Sequence, residues 1–254
     1  MAFLPRLRIM LGLLEGTKSG KIAMSLKELS ERTGLPPSLL REHLRFLQGE
    51  GLVKLIDEDV VLEVTRIDLA IKALEAGLDV ERVSNLLDWR EFEHVTAQCL
   101  DMNQYEVIEH LIFKCQRRRY EVDVVGLRKP LILCIDCKHW SYNRGARLRS
   151  AVKEHVERTR SLSKCMLKIP KLANRLSGWN KCFIIPTLVT LRESFMIVYE
   201  AVPIVPIRKL NSFLQELEAY LESILHFKVE IDHEDKSTNI VGEPYPFPFK
   251  WPEK

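Results

Sequence analysis

The sequence lacks the features that mark several protein classes. No apolar run approaches the ~18–20 residues that a membrane span needs, so no membrane-spanning segment is expected. There is no glycine-rich phosphate loop, so an NTPase motor is not encoded here, and no internal repeat suggests a solenoid. Neither sign of charge dominates: 38 Lys and Arg stand against 35 Asp and Glu, a net of +3. The six cysteines (Cys99, Cys115, Cys134, Cys137, Cys165, Cys182) show no disulfide-framework spacing, so a reduced, cytoplasmic protein is expected. Cys134 and Cys137 do form a C-x-x-C. Three residues apart on a strand, they point to opposite faces and cannot share a zinc ion. The opening stretch sets Arg6 and Arg8 before a short apolar run, as a signal sequence would. It lacks a small-residue cleavage site and ends at Glu15, which favours an amphipathic helix.

What is present fits an ordinary globular chain. With 254 residues, 46% hydrophobic and 29% charged, it can hold more than one domain and bury a core. The charge is unevenly placed. Residues 138–181 carry twelve Lys or Arg against Glu154 and Glu157, whereas residues 229–254 hold six acids and three lysines. A basic field of that size suits a polyanion.

Leu4, Leu7, Leu11 and Leu14 predict a helix over 3–15, and residues 16–20 a loop. Ser25 and Glu28 form a capping-box pattern ahead of a short helix ended by Gly34, and a further helix runs from Pro37 to about Gln48. Leu52–Ile56 and Val60–Val64 can then pair across the acidic 57–59. This order resembles a winged helix-turn-helix domain over residues 1–65. The resemblance makes 37–48 the recognition helix, with Ser38, Arg41, Glu42 and Arg45 outward and Leu39, Leu40, Leu44 and Leu47 inward. The module implies DNA contact at Arg41 and Arg45. The acidic wing and the net −1 of residues 1–85 (12 basic, 13 acidic) favour shape and phosphate contacts over tight sequence readout, or a packing or dimerisation role. Residues 66–87 are expected to form a helical connector broken at Gly77.

The richest stretch is Tyr120–Trp140, YEVDVVGLRKPLILCIDCKHW. Two Val/Ile/Leu-rich runs flank the breaker 127–130, which predicts a β-hairpin. With the turn near Arg128 and Lys129, Asp123 lies opposite Cys134, and Asp136 and Lys138 project from that same face. A half-buried strand seldom holds unpaired charge without a task, although a surface hairpin with solvated acids would carry the same residues. Two carboxylates and a lysine suit metal-assisted phosphodiester hydrolysis. Carboxylates hold Mg²⁺ and a lysine orients or deprotonates water.

Upstream, Asp88 and Glu91 cap a helix whose apolar positions are Phe92, Val95, Thr96, Cys99 and Leu100, with Glu93 beside them. A strand over Tyr105–Phe113 and a basic stretch, Lys114–Arg119, follow. An early helical glutamate, then Asp-(x)12-Asp-x-Lys, resembles the PD-(D/E)xK nuclease superfamily. Trp89-Arg90-Glu91-Phe92-Glu93 resembles the opening of its Mrr-type restriction endonuclease domain, whose core archaeal Holliday junction resolvases share. By that resemblance Glu93, Asp123 and Asp136 are the metal ligands for Mg²⁺ (Mn²⁺ as an alternative) and Lys138 acts on the water. Glu91 is the other candidate for Glu93's place, but capping already accounts for it. Val122 stands where a proline often precedes the first Asp, and Asp136 where Glu or Gln is common.

The remainder predicts a polar loop at 141–149 and a helix over 148–167, presenting Lys153, Arg158, Arg160 and Lys164 to a DNA backbone, with Glu154 and His155 as possible helpers. Strands at 181–190, 195–198 and 202–207 and a helix over 210–224 complete the domain. The expected fold is therefore α/β: a restriction-endonuclease-like sandwich with a mixed central sheet at 88–228, a small winged-helix domain before it, and a Pro/aromatic-rich acidic tail at 229–254. DNA is the expected partner, with a homodimer and no membrane. The function implied is a Mg²⁺-dependent DNA endonuclease. Alternatives are a DNA-binding regulator with an inactive nuclease-like domain, or a junction resolvase.

Overall fold

Leucines and methionines at helical spacing build the first element, α1 (Phe3–Gly16), which buries Ile9, Met10, Leu11, Leu13 and Leu14. The computed structural model describes residues 3–18, 21–139, 145–194, 197–232 and 237–240. The chain divides into two units, Met1–Glu91 and Phe92–Lys254. In α1 the buried stripe starts only at Ile9: Leu4 is 65% exposed, and Leu7 is half-buried.

In the first unit, β1 (Ala23–Ser25) leads into α2 (Leu26–Thr33), and Ser25 Oγ accepts the Glu28 N–H at 3.1 Å. The reciprocal half of that capping box is replaced by a bond from Arg32 to the Glu28 carboxylate. Gly34 ends α2 at φ 66°, a left-handed conformation that costs glycine little. Helix α3 (Pro37–Gly49) buries Leu40, His43, Leu44 and Leu47. Leu39, expected inward, is only half-buried, and His43 takes an inner position instead. Strands β2 (Val53–Ile56) and β3 (Asp59–Leu62) turn at Asp57-Glu58, and β1 joins them in the order β1-β3-β2. Helices α4 (Arg66–Glu75) and α5 (Val80–Ser84) are capped by Thr65 and Asp79 and separated at Gly77, φ 86°. Arg66 ties the unit together, donating to the carbonyls of Leu14 and Leu86, to Thr17 Oγ1 and to Glu91.

Helix α6 (Trp89–Met102), whose first residues close the first unit and whose remainder belongs to the second, begins with the Asp88–Glu91 capping box expected of it: Asp88 Oδ1 accepts the Glu91 N–H and Glu91 Oε2 accepts the Asp88 N–H. Strands β4 (Glu106–Cys115), β5 (Arg118–Arg128) and β6 (Leu131–Lys138) form an antiparallel meander. After them come α7 (Gly145–Cys165), α8 (Pro170–Ala173), β7 (Lys181–Thr190), β8 (Val198–Tyr199), β9 (Val202–Pro206), α9 (Ile207–Tyr220), β10 (Phe227–Asp232) and β11 (Ser237–Ile240). The large sheet runs β11-β10-β7-β6-β5-β4, with β9 also on β7 and β8 on β9. It is mixed, because β6–β7 and β7–β9 are parallel. Helix α7 covers the face of Val125, Ile132 and Cys134 through Leu162, and α6 lies over the opposite face at Gly126.

Four expectations are corrected here. Lys114–Arg119 is a tight hairpin: Gln116 and Arg117 both take positive φ (48° and 67°), as a two-residue primed turn requires, without the Asn-Gly signal. The β5–β6 turn sits at Lys129-Pro130, which is cis, so Val125 rather than Asp123 faces Cys134. A two-residue shift of that kind leaves Asp123 on the same face, opposite Asp136. Cys115 and Cys165 form a disulfide, Cα–Cα 6.0 Å, because the ends of β4 and α7 meet across a separation of 50 residues that spacing alone does not reveal. Helix α7 begins at Gly145, inside the stretch expected to be loop. Residues 195–196 and the aromatic tail at 244–252 lie outside the described residues. Strands β10 and β11 occupy the start of the stretch assigned to the tail. No helix among the described residues is long and apolar enough to cross a membrane.

At Gly126 α6 packs tightly on the sheet: a Cβ there would stand 2.4 Å from Leu100 Cδ2 and 3.2 Å from Tyr105 Cδ1. Gly126→Val is expected to lower unfolding free energy by about 1–3 kcal/mol through overpacking. Urea unfolding would check this, and an unchanged midpoint would show that the interface gives way.

Candidate active site

Each acid reaches the site from a different element. Glu93 is 6% exposed on the second turn of α6. Asp123 is half-buried on β5, its Oδ2 accepting the Cys137 N–H at 2.8 Å. Asp136, on β6, is only 2% exposed. Strand alternation directs Lys138 to the side of Asp136, and Lys138 Nζ stands 2.5 Å from Asp136 Oδ2. The other oxygen, Oδ1, accepts from Arg158 Nη1 of α7 at 2.9 Å. Cys134 faces Thr159 of α7 and Cys137 faces Thr96 of α6, so the two thiols are on opposite faces as strand geometry requires.

The electrostatics follow from this crowding. Burial, then the charges of Asp123, Glu121 and Asp136, push Glu93 up to about 8. Burial and the Asp136 charge push Asp123 up to about 6, against the Cys137 N–H and the cations Lys138 and Arg158. Burial would raise Asp136 as well, but surrounding positive groups outweigh it and hold this carboxyl below the usual range. His155 is depressed to about 4 by burial and is neutral near pH 7, leaving Lys138 and Arg158 as the cations responsible. His155 is buried on α7, with Nε2 2.8 Å from the Cys134 carbonyl and Nδ1 without a hydrogen-bond partner.

The residues expected from sequence to contact DNA do not share one environment. Arg158 is turned into the acid cluster rather than onto an open helix face, because Asp136 draws it in. Arg160 and Lys164 are exposed on α7, Arg160 lying over the Phe227 ring at 5.7 Å. In the first unit Arg45 is exposed, while Arg41 pairs with Glu58 at the wing tip. Glu91 is engaged by Arg66 at 3.0 Å as well as by its cap, which leaves Glu93 as the helical acid of the cluster.

A cavity of about 210 Å³ opens beside the cluster, lined by Asp136, Lys138, Arg147, Ser150, Ala151, Glu154 and Arg158. Arg147, Ala151, Glu154 and Arg158 recur at i, i+4, i+7 and i+11, so one stripe of α7 supplies that wall. This spacing is legible in the sequence; neither Arg147 nor Ser150 is among the site residues expected from it. A wider cleft of about 500 Å³ in the first unit is lined by Arg6, Phe46, Glu50, Lys72 and Glu75, and its two acids lie beside Lys72.

The donor chemistry fits a hard divalent cation. Three carboxylates converge, two of them raised by burial and then by their neighbours' negative charge, and Glu93 Oε2 is buried without a hydrogen-bond partner. Among the described residues, however, no three Asp, Glu, His or Cys groups are close enough to ligate one ion together, and Lys138 and Arg158 hold both oxygens of Asp136.

Residues 5–54 match the family model for bacterial regulatory proteins of the arsR family, a span from α1 into β2. The first unit thus carries a winged helix-turn-helix. An uncharacterized protein of Archaeoglobus fulgidus is 28% identical over 135 residues, 52% of this chain and 94% of that protein. Among solved structures the chain is similar to protein VC1899 from Vibrio cholerae, with 13% identity, 87% of this chain and 52% of that one covered, and a TM-score of 0.37. It is also similar to Can2 from Sulfobacillus thermosulfidooxidans, solved in complex with cyclic tetra-adenylate, at 11% identity, 86% and 52% coverage and TM-score 0.34. The chain spans about half the length of these two structures.

The raised Glu93 has a consequence for stability. Between its ordinary 4.5 and about 8, the folded chain keeps a proton that the unfolded chain releases, so stability falls as pH rises through this window. Glu93→Gln removes that loss. In EDTA its advantage over wild type should be absent near pH 4 and grow to roughly 4 kcal/mol by pH 8. Denaturant unfolding across that range measures it, and a pH-independent difference would contradict the assignment.

Proposed function

We propose that the second unit is a divalent-metal-dependent DNA endonuclease of the PD-(D/E)xK superfamily, Mrr-like, with a restriction-endonuclease-like α/β sandwich. The observation that carries the reading is the convergence of Glu93, Asp123, Asp136 and Lys138 on one end of the β5–β6 hairpin. Glu93, Asp123 and Asp136 would hold Mg²⁺ or Mn²⁺, Asp136 exchanging its two protein cations for a metal ion. A cation so bound supplies Lewis acidity to a phosphate oxygen and makes water more acidic. Released from Asp136, Lys138 would orient the attacking water and help deprotonate it, and Arg158 would pair with a phosphate oxygen in the cavity it shares with Arg147. Arg160 and Lys164 extend the cationic surface along α7 for backbone contacts, which carry no base information. In the first unit, exposed Arg45 would contact DNA directly, whereas Arg41 must first leave Glu58.

A second reading is a DNA-binding regulator whose nuclease-like unit does not cut. The arsR-type match over 5–54 and the occupation of both Asp136 oxygens by Lys138 and Arg158 favour it.

Plasmid incubated with Mg²⁺ decides between them, with four-way junction DNA as a further substrate. Cleavage abolished by EDTA supports the nuclease; binding without cleavage in Mg²⁺ or Mn²⁺ supports the regulator. Asp123→Ala and Asp136→Ala are expected to abolish cleavage while DNA binding in Ca²⁺ persists. Lys138→Ala should lose roughly 10²–10⁴-fold in rate. Lys138→Arg should not restore it, since a permanently charged guanidinium does not take up the proton.

A further inference from the structure

One non-glycine residue departs from its surroundings without a turn to explain it. His110 lies inside β4 with φ at 50°. The other positive-φ non-glycine residues described, such as Gln104, Gln116 and Glu200, sit at turns. On either side the β4–β5 ladder is regular, pairing Glu109 with Val124 and Leu111 with Val122, and it passes over His110 and Asp123 between them. The distortion thus falls at the register position of a candidate metal ligand. It leaves the imidazole between two acids: Nδ1 is 3.8 Å from Glu93 Oε2 and 3.5 Å from Glu121 Oε1. Glu93 Oε2 is also the buried oxygen without a hydrogen-bond partner.

A strand does not adopt the left-handed region by default, and such outliers persist where surrounding structure imposes them, often at functional sites. A buried oxygen without a donor is costly, and a donor a few tenths of an ångström beyond hydrogen-bond range is the group to supply it. We propose that His110 is a positioning residue of the metal site: it donates Nδ1–H to Glu93 Oε2 and so directs Oε1 toward Asp123 and Asp136. This inference rests on the reading of Glu93, Asp123 and Asp136 as metal ligands. Glu121, 51% exposed on its side chain, is the second carboxylate that keeps the imidazole at this edge.

Two substitutions separate positioning from mere strain. Glycine and asparagine both accept a positive φ, but only asparagine brings a side-chain donor. The full chain is titrated with Mn²⁺ by calorimetry, and thermal melting is followed on the metal-free proteins. His110→Gly is expected to melt no lower than wild type yet bind Mn²⁺ roughly 10–100-fold more weakly, as when an outer-shell partner of a ligand is removed. His110→Asn should stay within about threefold of wild type. Equal affinity of wild type and His110→Gly, or an Asn variant as weak as the Gly variant, would overturn the proposal, as would a wild type that binds no Mn²⁺. Should His110→Gly melt lower, His110→Asn carries the test, and a loss of about tenfold or more there overturns it. A wild type that binds Mn²⁺ in this pattern but cuts no DNA leaves the role of His110 standing and removes the nuclease reading instead.

Discussion

A carboxylate buried at the end of a sheet strand must be compensated inside the protein, and the surroundings of Asp136 are organised by that requirement. Removing an ion from water costs several kcal/mol unless close partners replace the lost hydration. Asp136 has two, Lys138 at 2.5 Å from its own strand and Arg158 at 2.9 Å from α7. Once these cations are committed to Asp136, its neighbours are less well served. Asp123 relies on the Cys137 N–H, and Glu93 keeps an oxygen with no donor. Burial first, and then one charge distribution in which three acids share two cations, raises Glu93 to about 8 and Asp123 to about 6. Such a distribution favours a further cation, and the proposed function rests on that.

Arg158 reaches Asp136 because α7 is seated by polar as well as apolar contacts. His155, Thr159 and Ser163, spaced by four residues, are buried along α7 beside Leu148, Val152 and Leu162. His155 Nε2 meets the Cys134 carbonyl of β6, fixing the helix against the strand that carries Asp136. A neutral imidazole can do this inside the core without adding charge, which its depression to about 4 ensures near neutral pH. One turn away, the stripe Arg147, Ala151, Glu154 and Arg158 opens onto the cavity. Neighbouring faces of one helix thus hold the scaffold and supply the charged wall.

Much of this was legible in the sequence, for physical reasons that differ from element to element. Alternation of Val and Ile with Asp123 and Asp136 marked the hairpin, and its period of two preserved the shared face even though the turn lay one residue later than expected. The Asp88–Glu91 cap set the phase of α6 and so the inward aim of Glu93. Other features depend on tertiary placement. The Gln116-Arg117 turn has no glycine or asparagine to announce it, and the Cys115–Cys165 bond joins residues that only the fold brings together. Arg158 reads from sequence as one more exposed base on a basic helix; its burial against Asp136 follows from helix phase relative to the sheet. His110 gives no signal in a sequence at all, because the distortion of β4 is a backbone property.

The central claim is that Asp136 trades its protein cations for a metal ion shared with Glu93 and Asp123. Anomalous diffraction from crystals soaked in Mn²⁺ tests it most directly. The account predicts a Mn²⁺ peak within ligand distance of Glu93, Asp123 and Asp136, with the Arg158 guanidinium withdrawn from Asp136 Oδ1. Crystals soaked at saturating Mn²⁺ that show no peak there, with Lys138 and Arg158 still on Asp136, would contradict it.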